Sequence, residues 1–138
     1  MGKLVRFSIS IDEDLVGAFD RLSHEMGYSS RSEAVRDTIR QTLIRREWDS
    51  GDDVAGVVTI LYDHHHAGLS EAITRIQHNC LGQIISSTHV HIDKDNCLEF
   101  IAVKGKGHEL EKLANRLISL KGVKHGQLTG TSTGKRIN

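Results

Sequence analysis

The chain has 138 residues, 38% of them hydrophobic and 26% charged, with Lys+Arg and Asp+Glu both at 18. That size fits one domain or two small ones, and zero formal charge excludes a polycationic nucleic-acid-binding tail while leaving room for a local basic surface. The longest mostly apolar run, Val54 to Tyr62, is nine residues, too short for a bilayer, and the N-terminus lacks the segments of a secretory signal, so a cytoplasmic location is the expectation. Leu4 to Ile11 alternates, with Val5, Phe7, Ile9 and Ile11 on one side and Arg6, Ser8 and Ser10 on the other, the pattern of a half-buried strand. Asp12 is placed to cap a helix bearing Leu15, Ala18, Phe19, Leu22 and Met26, and Gly27 to stop it. Ser30 and Glu33 have the spacing of a capping box, opening a second helix through Val35, Ile39 and Leu43 to about Trp48. The polar stretch from Asp49 to Asp53 then reads as a linker, dividing the chain into residues 1–50 and 51–138.

The second half alternates element types. Val54 to Tyr62 reads as a strand, Leu69 to about Leu81 as a helix on Leu69, Ile73, Ile76 and Cys80, and Ile84 to Ile92 as a strand. A turn at Asp93 to Asn96 leads into a returning strand, Cys97 to Lys104. A helix bearing Leu110, Leu113, Ala114, Leu117 and Ile118 follows, then a last strand from Gly122 to Thr129 and a polar tail. This βαββαβ order is the ferredoxin-like arrangement, so the fold class is α+β. The first fifty residues hold one strand and two helices, too little to bury a core alone. Antiparallel pairing of that strand between two copies is the simplest remedy, so oligomerisation is expected.

In such a ribbon Arg6, Ser8 and Ser10 face outward from both copies. A two-stranded ribbon fits the major groove of DNA, where Arg forks onto guanine and hydroxyls meet several base edges. The start of the second helix offers free N–H groups to a phosphate, with Arg31 and Arg36 near it. Charge over this half gives no support, at eight basic against nine acidic residues, and an ordinary edge strand fits the same pattern. The short strand, "DEDL" and "GYSSRSEAVRD" together resemble the ribbon-helix-helix DNA-binding domain. With the second half included, the chain resembles the nickel-responsive ribbon-helix-helix transcriptional regulators. By that resemblance Arg6, Ser8 and Ser10 read bases, where many relatives carry Arg, Thr and Thr, and Ser30, Arg31 and Arg36 meet phosphate.

The second half also concentrates potential metal donors. Eight of nine histidines fall between His64 and His125, and two cysteines are too few for a disulfide scaffold. His89 and His91 lie on one face of a strand, about 6–7 Å apart. Cys97 opens the strand across the turn, and His78 lies eleven residues before His89. Three imidazoles and a thiolate suit Ni(II), Cu(II) or Zn(II), and not Mg or Ca. The run from His78 through "THVHIDKDNCLE" resembles the family's nickel site. The resemblance implies one Ni(II) per subunit, square-planar, held by His89, His91 and Cys97 of one subunit and by His78 of its neighbour across a tetramer interface. It also implies that Glu99 holds a ligand ring and that Glu33 and Asp37 form a second cation site between the domains. The run His64-His65-His66 reads as a distractor, since adjacent side chains point in different directions. Some relatives place basic, DNA-touching residues near His66 and Ala67. His24, His108 and His125 read as surface residues and Cys80 as a small packed hydrophobe.

These features point to a metal-sensing repressor of nickel-uptake genes with operator double-stranded DNA as partner, a homotetramer with an ACT-like second domain and no membrane association. Two other readings compete. One gives the ferredoxin-like half an organic effector, against which the four matched ligands argue. The other is a metal storage or delivery protein, which leaves the Arg6, Ser8, Ser10 face unexplained. Cys97 and His91 can be drawn as nucleophile and base, but four donors leave no open coordination position, so no enzyme is expected.

Overall fold

A computed structural model describes residues 2–80 and 82–138. Helix α1 (Glu13–Glu25) starts where expected, with the Asp12 carboxylate accepting from the Asp14 N–H at 3.0 Å. It ends in a Schellman turn: Gly27, at φ 84°, donates to the His24 carbonyl and Tyr28 to that of Ser23. Helix α2 (Arg31–Asp49) is capped by Ser30, whose hydroxyl accepts from the Glu33 N–H at 3.2 Å. Only half of the expected capping box forms, because the Glu33 carboxylate turns to Arg36 and Arg40.

The second half is one antiparallel sheet in the order β2-β3-β1-β4, built from β1 (Asp53–Asp63), β2 (Ile84–His91), β3 (Asn96–Lys106) and β4 (Val123–Ser132). Helices α3 (Leu69–Asn79) and α4 (Gly107–Ile118) supply the rest of the core. Val54, Val58, Ile60 and Tyr62 of β1 alternate inward with Cys97, Ile101 and Val103 of β3. They meet Leu69, Ile73 and Ile76 of α3 and Leu110, Leu113, Ala114 and Leu117 of α4. The ferredoxin-like reading and both helical stripes hold, although Leu81, the expected end of α3, lies outside the described residues. The last strand runs three residues further than its pattern suggested, to Ser132, because Thr129, Gly130, Thr131 and Ser132 stay in register with β1. No helix among the described residues is long and apolar enough to cross a membrane.

The first segment departs from its expected form. Leu4 to Ile11 joins no ladder, since a strand needs a neighbour and among the described residues no segment pairs with it. Its apolar residues lie open, from 92% exposed at Leu4 to 45% at Ile11. Leu15 and Leu22 of α1, its C-cap Met26, and Ile39 and Leu43 of α2, expected to face a core, are also exposed. Among the described residues nothing covers these apolar side chains, whereas the sheet half closes its own core.

Candidate metal centre and nucleic-acid interface

The candidate metal centre sits at one end of the sheet, where β1, β2 and β3 meet. The ladder sets His91 opposite Cys97 and His89 opposite Glu99. Cys97 is buried, and its Sγ lies 3.2 Å from His91 Nδ1. The same sulfur lies 3.4 Å from His64 Nδ1, and His64, His91 and Cys97 offer donor atoms all within 4.8 Å of one another. The structure therefore gathers His64, one of three adjacent histidines whose sequence gives no such sign, and leaves His89 two pairs along the ladder, opposite Glu99. The His89 ring stands edge-on to that of His91, with centroids 5.6 Å apart. His78 is exposed in the last turn of α3 and outside this cluster.

Non-local pairing explains His64. Tyr62 faces Cys97 in the β1–β3 register, so the residues just past Tyr62 arrive beside the sulfur. The β1–β3 ladder runs unbroken to Asp63 opposite Asn96, while on the other side of β1 the register with β4 shifts between Leu61 and Tyr62, leaving Lys124 of β4 unpaired. The histidine run is then clipped onto the β2–β3 turn: the His64 N–H donates to the Asp95 carbonyl at 3.3 Å, and the His65 ring meets the Lys94 carbonyl at 3.0 Å.

Around the sulfur, burial foremost and then the charges of Glu99, Asp63 and Asp93 push the Cys97 thiol above its ordinary pKa. A thiolate there calls for a cation. Glu99 is itself buried, and its partners correct the expected contact with a ligand ring. Tyr62 donates to one oxygen at 3.0 Å, and Gln77 and Ser87 donate to the other at 2.6 and 3.1 Å. The carboxylate thus ties β1, β2 and β3 to the turn of α3 that carries His78. Burial, then the neighbouring Glu99 charge, raises the Tyr62 phenol, which stays a donor. One soft sulfur with imidazoles around it suits nickel, copper or zinc, so the residues fit such an ion.

In the first half, Arg6, Ser8 and Ser10 are all exposed. Ser30 is occupied in capping α2. Arg31 grips Asp20 with both arms, Nε to Oδ1 at 2.8 Å and Nη2 to Oδ2 at 2.6 Å, tying α2 to α1. Within one chain it is therefore a helix-to-helix clamp, with its side chain still 60% exposed. Glu33 and Asp37 are not brought together as a cation site: Arg36 and Arg40 hold Glu33, while the Tyr28 hydroxyl donates to Asp37. A cation there would have to displace those partners.

Residues 5–46 match the model of the ribbon-helix-helix protein, copG family, and residues 55–131 match that of the NikR C-terminal nickel-binding domain. A Pyrococcus abyssi protein is 53% identical over 135 residues, covering 97% of this chain and 98% of its own. One from Nitratidesulfovibrio vulgaris is 50% identical over 136 residues, covering 98% of each chain. One from Thermococcus kodakarensis is 48% identical over 136 residues, covering 98% of this chain and 99% of its own. All three carry provisional names as nickel-responsive regulators. The solved structure of an uncharacterized Thermotoga maritima protein aligns with a TM-score of 0.52 at 14% identity, covering 57% of this chain and 98% of that one, a likeness of fold alone. The chain therefore belongs to the nickel-responsive regulators, a family of transcriptional regulators and not enzymes, which join a ribbon-helix-helix DNA-binding domain to a nickel-binding one.

Proposed function

We propose that the protein is a nickel-dependent repressor whose operator affinity rises when Ni(II) occupies the second domain, and that it controls nickel uptake. The observation that carries this reading is the convergence of His91 and His64 on the buried Cys97 sulfur, at 3.2 and 3.4 Å. Residues 1–50 act as the DNA-binding unit and residues 51–138 as the unit for metal and tetramer formation. His89, His91 and Cys97 bind one Ni(II) per subunit, and His78 of the partner subunit completes the set. His89 is exposed and shares its strand face with His91, so a rotamer change brings its ring to the ion at little cost. His64 is the local rival for a donor place. X-ray absorption at the nickel edge should find one sulfur and several imidazole nitrogens. A sulfur-free nickel shell would overturn the assignment.

A homotetramer, as a dimer of dimers, fits the two unpartnered surfaces. Pairing the first strand between copies covers the exposed row from Val5 to Ile11 and the bare faces of α1 and α2. The sheet face away from the helices exposes Val57, Val90 and Phe100, an apolar surface suited to the second contact. In the paired ribbon Arg6, Ser8 and Ser10 enter the major groove, and Ser30, Arg31 and Arg36 approach the backbone phosphates. Operator DNA as the partner implies a cytoplasmic location.

Protons compete with nickel for these donors. Imidazoles must be neutral and the thiol must ionise, so binding releases protons and affinity rises with pH. Nickel affinity should fall steeply from about pH 8 to about pH 5.5, through the histidine range. Absorbance titrations of nickel at both pH values check this, and equal affinities would mean that other residues are the ligands.

A further inference from the structure

Trp48, the chain's single tryptophan, stands in the last turn of α2 and is seated in the second half of the molecule. Its indole Nε1–H donates to the Thr131 carbonyl of β4 at 2.9 Å. Three glycines from three different elements leave room for it. A Cβ on Gly130 would lie 2.7 Å from the indole ring, and one on Gly107 would lie 2.3 Å from the Trp48 carbonyl oxygen. One on Gly56 would lie 3.4 Å from the ring and 2.8 Å from the Thr129 carbonyl oxygen. Bare backbone from β1 and β4 thus forms a socket for the indole, while the start of α4 packs against the Trp48 backbone. The chain's last residues add a strap beside it: Arg136 pairs with Asp52 at 2.9 Å, and Arg40 of α2 donates to the Asn138 carbonyl at 3.2 Å.

Helix α2 is unbroken from Arg31 to Asp49, a rod of about 28 Å at 1.5 Å per residue. One end is the Ser30 cap proposed to approach phosphate, and the other is the Trp48 plug. Strand β1 contributes Gly56 to the socket and, six residues on, sets Tyr62 against Cys97. We infer that Trp48 is a positioning residue that transmits metal occupancy to the DNA-binding half, by fixing α2 to the strand that abuts the metal centre. The inference rests on the nickel-switch reading above. Coupling between distant sites needs an element whose arrangement both sites bias, and a plugged rod supplies one where a free linker would not.

The test uses the full-length protein as wild type, Trp48→Ala and Trp48→Phe. Each is titrated with nickel alone, and then with an operator duplex selected from random sequence by the nickel-loaded wild type, with nickel and with chelator. Trp48 is remote from the proposed nickel ligands, so Trp48→Ala should keep nickel affinity within about twofold. Its nickel-induced gain in operator affinity, roughly 5–150-fold in the wild type, should collapse toward one. By reciprocity operator DNA should tighten nickel binding in the wild type and not in Trp48→Ala, a readout that a purely structural role would not move. Trp48→Phe fills the socket without the N–H donor and should lie between; should the Ala variant fail to fold, the Phe variant carries the test. A variant with the full wild-type gain overturns the positioning role and leaves the nickel switch standing. A wild type with no nickel-dependent gain overturns the switch and the transmission role together.

Discussion

Cys97→Ser is expected to lose most of its nickel affinity and all of the nickel-induced gain in operator affinity. The thiol is the soft donor of the set, and a hydroxyl in its place stays protonated and binds borderline metals poorly. Its surroundings sharpen the effect, because burial beside Glu99, Asp63 and Asp93 favours a bound cation over a bare thiolate. The substitution shortens the side chain little and leaves the sheet intact, so weak, salt-sensitive binding to phosphate should survive. What vanishes is the coupling, a quantity of about 1–3 kcal/mol in comparable switches. Paired titrations, nickel first and then operator with and without nickel, read both effects. A Cys97→Ser protein that still responds to nickel on DNA would place the metal elsewhere.

Arg6→Ala should produce the opposite phenotype. Arg6 is exposed and remote in sequence from every proposed ligand, so nickel binding should be unchanged. Loss of a forked guanidinium at a base edge should cost about 1–3 kcal/mol of discrimination at each base it reads. Non-specific affinity should weaken only by the share of one phosphate-attracting charge. Competition between operator and scrambled duplexes distinguishes the two components, and an unchanged ratio would remove Arg6 from base reading.

Local chemistry made much of this protein legible. Asp12, Gly27 and Ser30 announce helix ends through side-chain and φ requirements that act within a few residues, and each stands at its expected position. The stripes on α3 and α4 are periodic and bury as periodicity predicts. Information that depends on pairing was less accessible. His64 looks like one of three adjacent, divergent histidines until the β1–β3 register sets Tyr62 beside Cys97 and the turn carbonyls hold the loop. Likewise Glu99 sits two residues from Cys97, yet its donors Tyr62, Gln77 and Ser87 come from three other elements. The first strand shows the complementary limit. Its alternation is plain in the sequence, but a ladder needs a partner strand, and among the described residues none pairs with it.

The measurement that bears most directly on the central claim is operator affinity of the wild-type protein with saturating nickel against excess chelator, at fixed salt and pH 8. Salt must be fixed because phosphate contacts alone shift affinity strongly with ionic strength. The metal-switch account predicts a nickel-dependent tightening of at least about fivefold, equivalent to about 1 kcal/mol. Equal affinity under the two conditions would contradict it.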